Sequence, residues 1–373
     1  MFDRPQLGDN AIVVSLDFGG FDIKEDINEI KQLTVSAGFN VSELVASKRS
    51  TPHTKYFIGS GKMEEIVLMK ETLKANTLIF NHELTPSQER NIEKMTEMRV
   101  YDRTALILYI FSLRAKTYEG KLQVELAHLA HLSTRLVKGW SHLERQKGGI
   151  GVRGGPGEKQ IELDKRMLGL RIKQLKEKLR KLAQQRGMQR RARKRSQALS
   201  IAIVGYTNAG KSTLFNYLTH ESILSEDKLF ATLDTTSRKL FIEPGHSVVI
   251  SDTVGFIKNL PTTLIEAFKS TLEEVTDSDL LIHVVDVSNE NKAEQIKEVG
   301  KILEEINAHE LPQILVLNQI DKINLKTSCD RDAYGKINHI QLSAKTGNGI
   351  EFLKQAMVEQ NQTLTNERNG NYA

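Results

Sequence analysis

Residues 199–219 read LSIAIVGYTNAGKSTLFNYLT: an apolar run rich in β-branched residues, a glycine-bounded loop, and a segment of helix formers. The loop, GYTNAGKS at 205–212, fits the pattern G-x-x-x-x-G-K-[ST]. Strand, loop and helix in that order admit few architectures. The loop must lie at the carboxyl end of a parallel strand, with its N–H groups turned inward and the next helix starting behind it. Such a cradle suits phosphate. Lys211 is placed to reach the β- and γ-phosphates of a nucleotide, and the Ser212 hydroxyl to ligate Mg²⁺. Gly205, Tyr206, Thr207, Asn208, Ala209, Gly210, Lys211, Ser212 and Thr213 are therefore taken as nucleotide-binding, with Lys211 also catalytic.

Further apolar runs end in polar residues, as parallel strands do at a ligand site. SVVISDTVGF (247–256) presents Asp252, expected to hold Mg²⁺ through a water, then Thr253, Val254 and Gly255, whose N–H would sense a γ-phosphate. QILVLNQID (313–321) ends in Asn318, Gln319, Ile320 and Asp321, and INHIQL is followed by Ser343, Ala344 and Lys345. The Asp321 carboxylate can accept two hydrogen bonds from the N1–H and N2–H₂ of guanine. Adenine offers neither, so the sequence predicts GTP and GDP rather than ATP. The Ala344 N–H is placed to donate to guanine O6. Between residues 213 and 252 a switch loop is required, and LFATLDTTSR (229–238) is the candidate. Phe230, Ala231, Thr232, Leu233 and Asp234 are assigned to the site. Thr232 is chosen as second protein ligand of Mg²⁺ beside Ser212 and Asp252, with Thr235 and Thr236 as competitors. Asp286, in HVVDVS, is read as part of an ordinary core strand.

Upstream, AIVVSLDF (11–18), SELVAS (42–47), NTLIF (76–80) and RVYD (99–102) alternate with helical stretches near 22–37, 61–73 and 86–97. That alternation predicts a mainly parallel sheet. His82, Glu83 and Asp102 are scattered near loop ends and expected to be solvated, which makes this a docking domain rather than a catalytic one. From about 103 the period changes: Leu122, Leu126, Leu129, Leu132 and Leu136, then Leu168, Ile172, Leu175, Leu179 and Leu182, recur at three- and four-residue steps. Two long helices forming an antiparallel hairpin follow. Their connection, GGIGVRGGPG at 148–157, contains a G-x-G-x-x-G match. A dinucleotide fingerprint needs a preceding strand, and a helical segment precedes it here, so the match is a decoy. A tip nearly bare of side chains, beside Arg145, Lys147 and Arg153, suits close approach to phosphate.

Charge sharpens this. Between Lys165 and Arg195 stand fourteen lysines and arginines against one acid, Glu177, while the whole chain carries +5. The remainder is therefore mildly acidic, and a single basic element points to a polyanion such as nucleic acid. One cysteine, Cys329, excludes an intramolecular disulfide framework, and no run approaches the length of a membrane span. A monomer in the cytoplasm is expected. The 373 residues divide into an N-terminal α/β domain at 1–110, a helical hairpin at 111–197, a P-loop GTPase domain at 198–365 with a mostly parallel sheet and helices on both faces, and a tail at 366–373.

These motifs together resemble the HflX GTPases. The resemblance is carried by GYTNAGKS, FATLD (230–234), DTVGF (252–256), EGKLQVELA (119–127) and GGIGVRGGPGEKQIELD (148–164). It implies a GTPase that binds the large ribosomal subunit and, in its GTP form, splits stalled or idle ribosomes, notably under heat stress. The glycine tip would then reach toward the peptidyl-transferase region of ribosomal RNA. Three departures stand out: NQID where NKID is usual, an additional glycine at 154–155, and a chain that ends 28 residues after Lys345, where many members carry a further domain. Gln319 for lysine is expected to weaken nucleotide affinity while Asp321 keeps guanine selectivity.

Phe256 follows D-T-V-G where many GTPases place a water-orienting glutamine, so hydrolysis by the isolated chain is expected to be slow and stimulated by the ribosome. Asn208 is expected to help hold K⁺ near the phosphates and so, with Lys211, Thr232 and Gly255, to serve catalysis. Two rival classes share these features: a GTPase of ribosome assembly or RNA maturation without splitting activity, and a protein-signalling switch.

Overall fold

The computed structural model describes residues 8–19, 23–146, 156–195, 199–220, 228–243 and 246–370. Most of the glycine-rich tip, expected at 148–157, lies outside the described residues, as does the tail at 371–373. The chain packs as two compact units: residues 1–113 with 121–179, and residues 114–120 with 180–373.

In the first unit, β1 (Asn10–Asp17), α1 (Ile23–Ser36), β2 (Asn40–Lys48), α2 (Ser60–Leu73), β3 (Thr77–Phe80), α3 (Pro86–Thr96) and β4 (Arg99–Tyr101) alternate in order. The four strands form a parallel sheet of order β2-β1-β3-β4. The predicted alternation is thus realised. Strand β1 is buried on both faces, which explains its continuous apolar run. Helix α3 starts where Thr85 and Pro86 direct it: the Thr85 side chain accepts from the Gln88 N–H, and the Gln88 side chain accepts from the Thr85 N–H.

One expectation for this unit fails. Asp102 is not solvated but 2% exposed, accepting hydrogen bonds from the Ala105 N–H (2.8 Å) and the Leu84 N–H (3.3 Å) and pairing with Arg135. Arg135 also pairs with Glu89. A carboxylate just before α4 (Arg103–Arg114) caps that helix, and burial is tolerated because its oxygens are satisfied. His82 is likewise enclosed, bonded to the Leu16 backbone and edge-on to Phe18. These residues hold the unit together.

Helices α5 (Tyr118–Gln146) and α6 (Pro156–Arg195) carry the two leucine series. Glu125 pairs with Arg171 at 2.7 Å, and Glu119 with Arg186 at 2.7 Å, so residue numbers rise along one helix as they fall along the other. Leu122, Leu126 and Leu175 are buried, whereas Leu132 is 44% exposed.

The second unit is built on β5 (Leu199–Gly205), α7 (Lys211–Thr219), β6 (Thr236–Glu243), β7 (His246–Asp252), α8 (Thr262–Ala267), α9 (Lys269–Thr276), β8 (Leu280–Asp286), α10 (Lys292–Glu305), β9 (Gln313–Asn318), β10 (Ser328–Arg331), β11 (Ile337–Gln341) and α11 (Ile350–Gly370). Its seven-stranded sheet has the order β10-β11-β9-β8-β5-β7-β6, antiparallel only in the pairs β6–β7 and β10–β11. Leu199, Ile201 and Ile203 of β5 pack with Leu214 and Phe215 of α7, so burial draws the helix back over the strand that precedes it. Among the described residues no helix is long and apolar enough to cross a membrane.

Candidate functional site

The site lies within the second unit at the carboxyl ends of β5, β7 and β9. The loop after β5 is shaped by close approach. A Cβ on Gly205 would stand 2.2 Å from the Val284 carbonyl oxygen, and one on Gly210 2.3 Å from Asn318 Nδ2; both residues also have positive φ. Only glycine fits at either position. Lys211 begins α7, is buried, and donates from Nζ to the Tyr206 carbonyl at 2.6 Å. Burial pushes its ammonium down to about 8, against the pull of nearby Asp252. A cation held where desolvation penalises it gains from an arriving phosphate.

Three segments far apart in sequence meet at Asp252. Its Oδ2 accepts from Ser212 Oγ (2.7 Å) and Thr232 Oγ1 (2.8 Å), and the two hydroxyls are 2.8 Å apart. Burial drives the Asp252 carboxyl upward; the Ser212 hydrogen bond and the Lys211 charge oppose that shift. Asp252 Oδ1 and Thr207 Oγ1 are buried with no protein partner. Among the three threonines considered for the switch, Thr232 brings its hydroxyl here, while Thr236 opens β6 opposite Asp252. A concave pocket above the cluster is lined by Asn208, Lys211, Phe230, Ala231, Thr232 and Gly255, among others. Lys228 lines it too, a cation that sequence reading passed over because no motif includes it.

Gly255 is also closely approached: a Cβ there would meet Thr207 Cγ2 at 2.8 Å and Lys211 Nζ at 3.0 Å. The next residue, Phe256, is 1% exposed, and its backbone bonds both ways with the loop (Phe256 N–H to the Gly205 carbonyl, 3.1 Å; Thr207 N–H to the Phe256 carbonyl, 2.8 Å). Its ring is core, remote in chemistry from any water.

At the end of β9, Asn318 braces the loop by donating from Nδ2 to the Ala209 carbonyl at 2.9 Å. Gln319, at φ 66°, donates from Nε2 to the Asn208 carbonyl at 3.1 Å. The Ala344 N–H donates to Asn318 Oδ1 at 2.9 Å, so the donor expected for guanine O6 is engaged by Asn318. Asp321 is exposed and accepts from Ser343 Oγ at 2.6 Å, which orients its carboxylate. Two members of the sequence-predicted set stand apart. Leu233 is buried as packing, and the Asp234 carboxylate turns to residues 116 and 117, with Oδ2 2.9 Å from each of their backbone nitrogens. Asp286 stays with the strand, accepting from Ser288 and pairing with Lys322 at 3.3 Å.

Comparison with known proteins agrees with this geometry. Three family models match in succession: GTP-binding GTPase N-terminal at residues 24–112, GTP-binding GTPase Middle Region at 114–193, and 50S ribosome-binding GTPase at 200–319. The chain is 48% identical to the GTPase HflX of Escherichia coli (strain K12), covering 96% of this chain and 84% of that protein. It is 46% identical to the GTPase HflX of Caldanaerobacter subterraneus, over 90% of this chain and 76% of that one. Among solved structures, a GTP-binding protein of Sulfolobus solfataricus in complex with GDP is 26% identical, with a TM-score of 0.50, covering 95% of this chain and 99% of that one.

Two predictions follow from these contacts. Asp321→Asn exchanges an acceptor pair for a donor and an acceptor, which should weaken GDP binding about a hundredfold or more and improve binding of xanthosine diphosphate; titration of both nucleotides checks it. His283, in β8, is buried with Nε2 unpartnered, and burial, aided by the Lys211 charge, pushes its pKa down to about 4. It is neutral when folded and titrates at its ordinary value when unfolded. Stability is therefore intact above about pH 6.5 and drains as pH falls toward 4, by about 2 kcal/mol at pH 5. Urea unfolding at pH 7 and pH 5 should show that slope for the native chain and a shallower one for His283→Gln.

Proposed function

The chain belongs to the HflX family of GTPases, and on that premise we propose that it binds the large ribosomal subunit and splits stalled or idle ribosomes in its GTP form. The observation that carries the reading is the joining, in one chain, of a guanine-nucleotide site to a helix with fourteen basic residues between Lys165 and Arg195. Those residues would neutralise phosphates of ribosomal RNA and release counterions on binding. The glycine-rich tip at 148–157, which holds Arg153 and follows Arg145 and Lys147, is assigned as the element that approaches RNA most closely. The first unit serves as a docking body, and stress such as heat is the proposed occasion.

At the phosphate site, Ser212, Thr232 and Asp252 are assigned as the protein groups for Mg²⁺. The donor set fits a hard cation: one carboxylate with a buried unpartnered oxygen and two hydroxyls converging on it. Bound there, Mg²⁺ would offset negative charge on the β- and γ-phosphates. Lys211 is assigned to bind the same phosphates as a point charge, and Thr232 and the Gly255 N–H to sense the γ-phosphate. With Phe256 in the core, no side chain at that position polarises the attacking water, so hydrolysis depends on ordering supplied from outside. Asn208, at φ 62°, is assigned a supporting role in holding K⁺.

The leading alternative, a GTPase of ribosome assembly without splitting activity, uses the same site and arm. Sedimentation separates them: whole ribosomes incubated with the protein and a non-hydrolysable GTP analogue should shift into free subunits, and the GDP form should leave them intact. Persistence of whole ribosomes in both states would reject splitting. The cation assignment has its own check: GTP turnover on large subunits should be several-fold faster in K⁺ than in Na⁺, and equal rates would reject it.

A further inference from the structure

The first switch ends in an aspartate that leaves the nucleotide. Asp234 Oδ2 accepts from the N–H groups of Lys116 and Thr117, each at 2.9 Å, and Oδ1 accepts from Thr117 Oγ1 at 2.5 Å. Thr117 is the cap of α5: its Oγ1 accepts from the Gly120 N–H at 2.9 Å. All these residues belong to the nucleotide-binding unit, because residues 114–120 pack with it. A carboxylate at the amino end of a 29-residue helix also sits where the helix dipole favours negative charge. Glu119, on the same first turn, pairs with Arg186 near the returning end of α6. Both ends of the helical arm are thus rooted beside the switch.

The fit around Asp234 leaves no slack. A Cβ on Gly120 would lie 2.2 Å from Asp234 Oδ1, so the glycine exists to admit that carboxylate. Gly120 is otherwise a poor residue for the first turn of a helix. Only Leu233, 2% exposed, separates Asp234 from Thr232, whose hydroxyl stands between Ser212 and Asp252. Three residues of chain span at most about 10 Å, and the middle one is anchored in the core. Thr232 cannot move far without drawing Asp234 with it.

We propose that Asp234 is a positioning residue that latches the first switch to the root of the helical arm, so that seating Thr232 at the phosphate site and capping α5 are one two-state event. With a γ-phosphate holding Thr232 in place, the latch is closed and the first turn of α5 is ordered. When the switch is released, the α5 root loses three acceptor contacts at once. The coupling is reciprocal: whatever holds the root of α5 in its capped form favours the triphosphate state.

The test uses the full chain in three versions: native, Asp234→Ala and Gly120→Ala. The second variant matters because alanine is the better helix former, so any effect comes from its Cβ evicting the carboxylate and not from weaker helix propensity. Affinity for a fluorescent non-hydrolysable GTP analogue should fall about tenfold in both variants, with GDP affinity changed less than twofold; Asp234→Asn, which keeps one acceptor, should fall between. Amide hydrogen exchange at residues 116–121 should be slower with the GTP analogue than with GDP in the native chain and indifferent to nucleotide in both variants. Equal weakening of both nucleotides, unchanged affinities, or native exchange at 116–121 that ignores the nucleotide would each overturn the latch.

Discussion

One carboxylate organises the second unit. Asp252 stands at the end of β7 and gathers a hydroxyl from the phosphate loop and another from the first switch onto a single oxygen. It is 1% exposed, and a charge so buried persists only when its hydrogen bonds and a nearby cation offset the lost solvation. Ser212 and Thr232 supply the bonds; Lys211 supplies the charge. The arrangement is mutually dependent. Lys211 is itself desolvated and leans on Asp252 and on the Tyr206 carbonyl. Neither ion is fully satisfied, since Asp252 keeps an unpartnered oxygen. A polyanionic nucleotide with a small hard cation would complete both.

The sheet explains how residues 212, 232 and 252 come together. Strand β5 lies between β7 and β8, pairing in parallel with both, so the loops leaving β5 and β7 emerge side by side at the same edge. Phe256 then extends that edge by one more backbone bridge, opposite Tyr206. The second switch is stitched to the phosphate loop by its backbone, while two side chains anchor the first: Thr232 to Asp252 and Ser212, Asp234 to the α5 root. Side-chain attachment at two points, with a buried leucine between them, gives a segment with discrete positions rather than a continuum.

Much of this was legible in the sequence because it is local. The phosphate loop is written in glycines whose need for space and positive φ is a property of a few consecutive residues. The alternation of the first unit and the start of α3 at Thr85 are local in the same sense. What escaped was long-range. Asp234 reads as part of FATLD, and its proximity to Thr232 suggested the nucleotide; its partners are 117 and 118 positions away in the chain, and no pattern in either segment announces them. Shorter separations, 26 and 33 residues, were enough to hide the use of the Ala344 N–H by Asn318 and the pairing of buried Asp102 with Arg135. Gly120 was in plain view within EGKLQVELA, but a glycine inside a helical pattern has no stated reason until the neighbour that requires it is known.

Gln319 shows how a departure from a familiar motif can preserve geometry while changing electrostatics. Its amide donates to the Asn208 carbonyl and so braces the phosphate loop from outside, beside the brace that Asn318 makes to Ala209. An ammonium at this place could make the same hydrogen bond, so the loop's shape does not require lysine. What an amide lacks is the charge, which would act on bound phosphates from several ångströms through partly screened surroundings. We infer that the loss falls on nucleotide affinity rather than on the choice of base, which is assigned to Asp321 and the serine that orients it. On that inference a weaker electrostatic hold would let nucleotide exchange more readily, and the γ-phosphate contact proposed for Thr232 would carry a larger share of the distinction between the two nucleotide states.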